Sequence, residues 1–252
     1  MTINTSIQAN FERPLSEYKS TLSLDAPAEP PPLESGDRLS RAEFERRYIA
    51  HPEIKKAELV EGVVYVSSPI RVKQHGYPHA LIVTWLGVYA AATPGTMVAG
   101  NATVRLDNEN EPQPDAFLRL EPEHGGTSRV SEDDYLEGPP DLVVEVAASS
   151  ASYDLNDKLR AYQRNGVREY LVLQMYERRA DWFVLRDGVF EPLMPDESGI
   201  LRSTIFPGLW LKSESIWTGD LAAMLSTLQE GLASPEHVEF AARLRDHEAP
   251  AG

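Results

Sequence analysis

The stretch Asp-Leu-Val-Val-Glu-Val-Ala (141–147) decides the fold, because it reads as one strand buried on both faces. Leu142 to Ala147 is a short, β-branched apolar run, which is typical of a strand covered on both sides. Glu145 lies in the middle of this run. An unpaired buried charge is energetically costly or shifts its pKa. We therefore expect Glu145 to have a partner, a cation or a chemical role.

The residues after this strand predict a helix and a second strand. Asp154 opens a helical pattern that runs to about Asn165, where Gly166 suits the position just past a helix end. Arg168 to Gln174 then reads as a strand. This order predicts an α/β fold in which helices flank a central mixed sheet, with the carboxylates at one edge of a cleft.

Earlier and later segments extend this plan. We expect a hairpin at 57–66, a long helix at 73–92 and strands at 97–106 and 115–120. A short strand at 205–211 and an amphipathic helix at 218–232 follow later in the chain. Ser234-Pro235-Glu236 starts one more helix.

The same patterns divide the chain into three parts. Residues 1–36 lack clear periodicity and are Pro-rich, so we interpret them as a flexible tail. Residues 37–214 form the α/β domain. Residues 215–252 form a C-terminal helical extension, which either covers the core or serves self-association.

Composition excludes several classes of protein. The chain has 252 residues, a net charge of −15 and no cysteine, which excludes disulfides and thiolate zinc sites. No run of eighteen apolar residues exists, so we expect no membrane span. Met1 to Asn10 lacks the order of a secretory signal, and the missing cysteines fit a reducing cytoplasm. The acidic charge argues against a generally basic nucleic-acid coat.

The charge is unevenly distributed. Between Asp107 and Glu145 there are twelve acidic residues, against Arg119 and Arg129. The range 158–186 reverses this balance, with seven basic residues against three acidic ones. A metal site beside an anion-binding surface would give this pattern, and so would solvated faces of opposite sign.

Asp115, Glu145 and Lys158 are the candidate catalytic residues. Asp115 stands at the start of a predicted strand, and carboxylates on neighbouring strands supply the hard oxygen ligands that Mg²⁺ prefers. Lys158 lies on the flank of the apolar arc of its helix, so we expect it to reach along the sheet towards Glu145. The alternative for Lys158 is a surface pair with Asp154 at i, i+4.

The ordered set of motifs resembles the PD-(D/E)XK core of restriction-endonuclease-like nucleases, and within it the Uma-type restriction endonuclease family. The resemblance covers about residues 38 to 212. Its matching stretches are Ala-Glu-Leu-Val-Glu-Gly-Val-Val (57–64), Pro-Asp-Ala-Phe-Leu (114–118), Pro-Asp-Leu-Val-Val-Glu-Val (140–146), Tyr-Asp-Leu-Asn-Asp-Lys-Leu-Arg-Ala-Tyr (153–162), Gly-Val-Arg-Glu-Tyr (166–170) and Phe-Pro-Gly-Leu (206–209). Isolated Pro-Asp and Glu-Val pairs are common, whereas the ordered set with its spacing is specific.

The resemblance implies a restriction-endonuclease-like core that hydrolyses DNA with Mg²⁺, or with Mn²⁺ as a substitute. Asp115 and Glu145 would bind the metal, and Lys158 would position the attacking water. The chain departs from the superfamily pattern at Ala147, which occupies the usual lysine position, so the lysine comes from the next helix. Ala148-Ser149-Ser150 replaces the family's Ser-Pro-Ser and would affect substrate access.

Three further residues are predicted to support the site. Glu58 matches the hairpin glutamate of the family, although an exposed strand position would equally accept it. His75 also matches the family, while His75 and His79 together lack a third zinc ligand. Gln174 ends the strand after the helix, where its amide would form a hydrogen bond with the substrate. The alternative is a polar strand end without a role in the site.

The sequence therefore predicts a metal-dependent endonuclease acting on DNA. The alternatives are a nuclease-like binding or regulatory module without activity, and a hydrolase of a small phosphodiester, which needs less of a basic groove. A homodimer would supply the two sites that cutting both strands requires.

Overall fold

The structure, a computed structural model, describes residues 29–67, 69–148 and 150–248. Its strands are β1 (Ala57–Val60), β2 (Val63–Val66), β3 (Thr96–Ala99), β4 (Val104–Arg105), β5 (Ala116–Leu120), β6 (Arg129–Val130), β7 (Leu136–Glu137), β8 (Leu142–Ala147), β9 (Glu169–Gln174), β10 (Arg179–Arg186), β11 (Val189–Leu193), β12 (Ile200–Arg202) and β13 (Trp210–Lys212). Its helices are α1 (Arg41–Ala50), α2 (Tyr77–Ala92), α3 (Ala151–Tyr153), α4 (Leu159–Asn165), α5 (Glu214–Thr218), α6 (Leu221–Leu232) and α7 (Pro235–Glu248).

Among the described residues, the largest sheet has six strands in the order β11-β10-β9-β8-β5-β3. β8 pairs in parallel with β9 and antiparallel with β5. A parallel pair needs a crossover, which here consists of α3, a π-helical turn and α4. The predicted α/β fold, with a central mixed sheet flanked by helices, is confirmed.

The pleat of β8 divides its side chains between two apolar clusters. Its even-numbered residues pack with α2 and α6, and its odd-numbered apolar residues pack with Tyr162 of α4. All six residues of β8 are buried, as predicted for a strand covered on both faces. Glu145 has an odd number, so its carboxylate points to the α4 side of the sheet.

Two π-helical turns shape the helices that flank the sheet. Val72–Gly76 leads into α2, and Asp154–Lys158 joins α3 to α4. The helix predicted to begin at Asp154 therefore begins at Ala151 and contains a widened turn. It ends at Gly166, whose φ of 83° is the left-handed conformation expected for that position.

The predicted hairpin at 57–66 is confirmed as β1 and β2. Glu61 and Gly62 form its turn with φ of 53° and 70°, which matches the twist of paired strands. The hairpin packs in a third cluster with Leu33 and Phe44, so Leu33, within the predicted tail, is buried. The predictions made for residues 1–28 lie outside the described residues.

The prediction of a single strand over 97–106 is wrong. The chain breaks at Gly100 and Asn101, where Asn101 has a φ of 55°, and separates β3 from β4. β3 stays in the central sheet, whereas β4 pairs with β7 in a smaller one. The break is held by the amide of Asn101, which donates to the carbonyls of Pro114 and Asp115 at 3.1 and 3.2 Å.

The strand predicted over 205–211 is also wrong for most of its length. Residues 205–209 form a turn, and only β13 beyond it is extended, paired with β12. The cause is Glu169, a buried carboxylate at the start of β9. It accepts hydrogen bonds from the amides of Thr204 and Ile205 at 2.7 and 3.1 Å.

The C-terminal helices pack on the central sheet. Met224 and Leu228 of α6 are buried in the same cluster as the even-numbered residues of β8. The division of the chain at residues 36 and 214 stays a prediction. Within the described part of the chain, none of the helices has the length and apolar character needed to span a bilayer.

We expect Gly231→Ala to destabilise the fold, although the same change inside a helix normally stabilises it. A Cβ on Gly231 would overlap the carbonyl oxygen of Gly208 and lie 2.9 Å from Cγ of Trp210. Such overpacking costs about 1–3 kcal/mol. Gly87→Ala in α2 is the matched control, because nothing lies within 4 Å of its Cβ position. The free energy of unfolding of the control, measured in urea, should rise by about 0.5–1 kcal/mol. An equal rise in both variants would contradict the close packing of α6.

Candidate active site

Asp115 and Glu145 project from neighbouring strands at the same level. The register pairs Ala116 with Val144, so position 115 lies opposite position 145. Glu145 Oε2 accepts from the amide of Asp115 at 3.4 Å, and Asp115 Oδ2 accepts from the amide of Val146 at 2.8 Å. The two residues are 4% and 3% exposed. The fold thus brings together the two carboxylates that the sequence singled out.

Lys158 completes the predicted trio from the π-helical turn. Its Nζ lies 2.9 Å from Glu145 Oε1, 2.9 Å from Glu58 Oε1 and 3.8 Å from Asp154 Oδ1. The widened turn places Lys158 on the sheet side of the helix, where it is buried. The predicted contact with Glu145 and the alternative i, i+4 pair with Asp154 therefore coexist, and the first is the shorter.

The buried cluster carries more acid than base. Burial lowers the pKa of Lys158, but the Glu145 and Glu58 carboxylates outweigh it and hold that pKa well above its usual value. The lysine is therefore charged. Burial raises the pKa of Glu145 to about 8. Lys158 lowers this pKa, whereas the negative charges of Asp115 and Asp154 raise it further. One ammonium group is therefore not enough to keep all of these acidic groups ionised at neutral pH.

Glu58 connects the hairpin to this cluster. It lies on β1 and is buried. Its Oε1 accepts from the amide of Gln113 at 2.7 Å and contacts Lys158 Nζ at 2.9 Å. The hairpin is thus tied to the turn that precedes Asp115 and to the catalytic candidate Lys158.

His75 and Lys56 surround the carboxylate of Asp115. His75 Nε2 lies 3.1 Å from Asp115 Oδ2, and Lys56 Nζ lies 3.8 Å from Asp115 Oδ1. Burial raises the pKa of Asp115, but His75, Lys56 and the amide of Val146 outweigh it and lower the pKa overall. Asp115 is therefore a carboxylate at neutral pH. His79 instead contacts the backbone carbonyl of Asp115, with Nε2 at 2.8 Å from the oxygen.

Gln174 is the one predicted supporting residue that the fold does not bring to this cluster. It ends β9, and its amide donates to the carboxylate of Asp181 on β10. The strand after the helix does reach the sheet beside β8, but its last side chain is used in a cross-strand contact.

Sequence reasoning missed the roles of Lys56 and Tyr162. Tyr162 packs in the apolar cluster on the α4 side of the sheet, and its hydroxyl also donates to Glu145 Oε1 at 3.0 Å. Both had a signal in the sequence. Tyr162 lies four residues after Lys158, on the same side of the helix. Lys56 lies two residues before Glu58, and strand alternation places both on one face.

These groups form the floor of a cleft of about 510 Å³. Its walls come from β2, residues 69–71, α3 and the turn after β9, including Tyr65, Arg71, Tyr153 and Tyr176. Clefts of ~300–1,000 Å³ enclose small ligands and place a few polar groups against them. The cluster is thus the buried end of a pocket that opens to solvent.

The donor set fits a small divalent cation. Among the described residues, no group of three or more His, Cys, Asp or Glu side chains is arranged to hold a metal ion by itself. Mg²⁺ needs only one or two carboxylates, with waters and substrate phosphates as the other ligands. Asp115 and Glu145 provide that smaller set, and the acid excess around them suits added positive charge.

Comparison with known proteins gives one family. The Uma2 model, described as "Putative restriction endonuclease", matches residues 41–214. A solved protein of Anabaena variabilis ATCC 29413, described as a "putative nuclease belonging to DUF820", aligns with a TM-score of 0.49 and 11% identity. That alignment covers 65% of this chain and 90% of the other. No curated protein matches this sequence.

We expect Lys158→Met to destabilise the protein strongly in the absence of metal. The substitution keeps the length of the side chain but leaves Glu58 and Glu145 without their shared cation. Removing one partner of a buried ion pair costs about 3–5 kcal/mol. Lys56→Met is the control, because Lys56 is 23% exposed and lies farther from its carboxylate. In urea unfolding with EDTA, the free energy of unfolding of Lys56→Met should fall by at most about 1 kcal/mol. An equal fall in the two variants would contradict the central position of Lys158.

Proposed function

The chain belongs to the Uma2 family, and we propose that it is a metal-dependent endonuclease that hydrolyses DNA phosphodiester bonds. Membership of this family supports a nuclease, and restriction-endonuclease-like enzymes generally use divalent metals. One observation carries the proposal: two buried carboxylates on adjoining strands lie beside an ammonium group at the floor of a cleft.

Asp115 and Glu145 would hold Mg²⁺, or Mn²⁺ in its place, together with the backbone carbonyl of Val146. A bound ion of this kind polarises the phosphoryl oxygen and lowers the pKa of a coordinated water. His75 and the amide of Val146 hold the Asp115 carboxylate in place. Tyr162 does the same for Glu145.

Lys158 would orient the attacking water and stabilise charge that develops on the phosphate. In the protein without metal, Glu145 and Glu58 hold the pKa of Lys158 well above its usual value, so its Nζ carries a proton. A charged lysine is a donor and an electrostatic stabiliser, so the role that fits is orientation rather than removal of a proton from water. Glu58 is a positioning residue in this scheme, since it directs the ammonium group through their contact.

Asp115→Asn and Glu145→Gln should each lower Mg²⁺-dependent nicking of supercoiled plasmid by at least about 100-fold. Both changes preserve the size of the side chain and replace a charged carboxylate, a strong ligand of Mg²⁺, with a neutral amide. Glu197→Gln on an exposed loop is the matched control and should retain full activity.

The same assay, run with EDTA and with a small chromogenic phosphodiester, separates the alternatives. Full nicking by either site variant would refute the assignment. Binding of Mg²⁺ in calorimetry without cleavage of any substrate would favour a non-catalytic module. Cleavage of the small phosphodiester alone would favour a small-molecule hydrolase.

A further inference from the structure

The carboxylates that would bind metal lie at the buried floor of the cleft. Asp115 and Glu145 are 4% and 3% exposed, and the space above them measures about 510 Å³. This volume is typical of pockets that enclose a single small ligand. A phosphate must descend into the cleft to reach the floor. A single strand bends readily, whereas a duplex is stiff over about 150 base pairs.

The lips of the cleft are aromatic and apolar. Tyr176, on the turn after β9, and Ile70 both line the cleft, and each is 56% exposed. Deeper in the cleft, the rings of Tyr65 and Tyr153 lie 4.0 Å apart between centroids. In proteins that bind single strands, exposed aromatic rings stack on unpaired bases. Bases in a duplex already stack on one another, so their faces are not free for such a contact.

The charge of the cleft does not suit a duplex. Among the described residues that line it, the lysines and arginines are Lys56, Arg71 and Lys158. Lys158 is engaged by Glu58 and Glu145, and Lys56 lies beside Asp115. Arg71 therefore remains as the lining cation outside the acidic cluster. A duplex-binding protein gains its affinity from several phosphate contacts by Lys and Arg.

We propose that this cleft takes an unpaired segment of DNA, with a base stacked on Tyr176 and the adjoining phosphate lowered to Asp115 and Glu145. The inference rests on the proposed nuclease function and narrows its substrate class to single-stranded DNA, including unpaired stretches and ends. A substrate of this kind needs one active site per cut, so no second copy of the chain is required for cleavage.

Fluorescence anisotropy with a labelled 12-nucleotide strand and its duplex, in Ca²⁺ to suppress turnover, tests the inference. We expect the single strand to bind at least about tenfold more tightly than the duplex, because stacking adds to the phosphate contacts. Tyr176→Ala should weaken binding of the single strand about tenfold. Tyr176→Phe, which keeps the ring, should bind like the unsubstituted protein. Equal or tighter binding of the duplex, or no effect of Tyr176→Ala, would overturn the inference.

Cleavage of the same two oligonucleotides in Mg²⁺ separates this inference from the nuclease proposal. Faster cleavage of the single strand supports both. Equal or faster cleavage of the duplex overturns the substrate class and leaves the nuclease in place. Preferential binding of the single strand without cleavage of either form overturns the proposed nuclease activity. It still supports single-stranded DNA as the ligand of the cleft.

Discussion

The ammonium group of Lys158, buried between the carboxylates of Glu145 and Glu58, is the interaction on which the site depends. It joins three parts of the fold: β8 of the central sheet, β1 of the hairpin and the π-helical turn of the crossover. A buried ion pair gains little over apolar packing, but removing one partner leaves the other charge uncompensated. The hairpin and the crossover are therefore held in place by the same group that would orient the water.

The strand pleat explains why this cluster can form inside an otherwise apolar sheet. Side chains alternate between the two faces of the sheet. The α4 side therefore holds Glu145 of β8, Phe117 of β5 and Asp115, which immediately precedes β5. The same alternation keeps the α2 side entirely apolar at β8, which supplies the packing that stabilises the fold. At β8 the charged side chain is thus confined to the α4 face, where the cleft opens.

Much of this arrangement was predictable from the sequence because it depends on short-range periodicity. The apolar run 142–147 fixes a buried strand, and Glu145 is conspicuous within it. The position of Lys158 on the flank of its helix follows from the helical period. Other features depend on distant contacts. The turn at 205–209 forms around Glu169, the break at Asn101 depends on Pro114, and Gln174 turns to Asp181, none of which local patterns encode.

The excess of acidic groups in the cluster favours binding of a cation between Asp115 and Glu145. A crystal soaked in Mn²⁺ and measured at the manganese absorption edge would locate the ion by its anomalous signal. We expect one peak within bonding distance of the Asp115 and Glu145 carboxylates, with Lys158 adjacent. No peak between these carboxylates, or a peak elsewhere on the molecule alone, would contradict it.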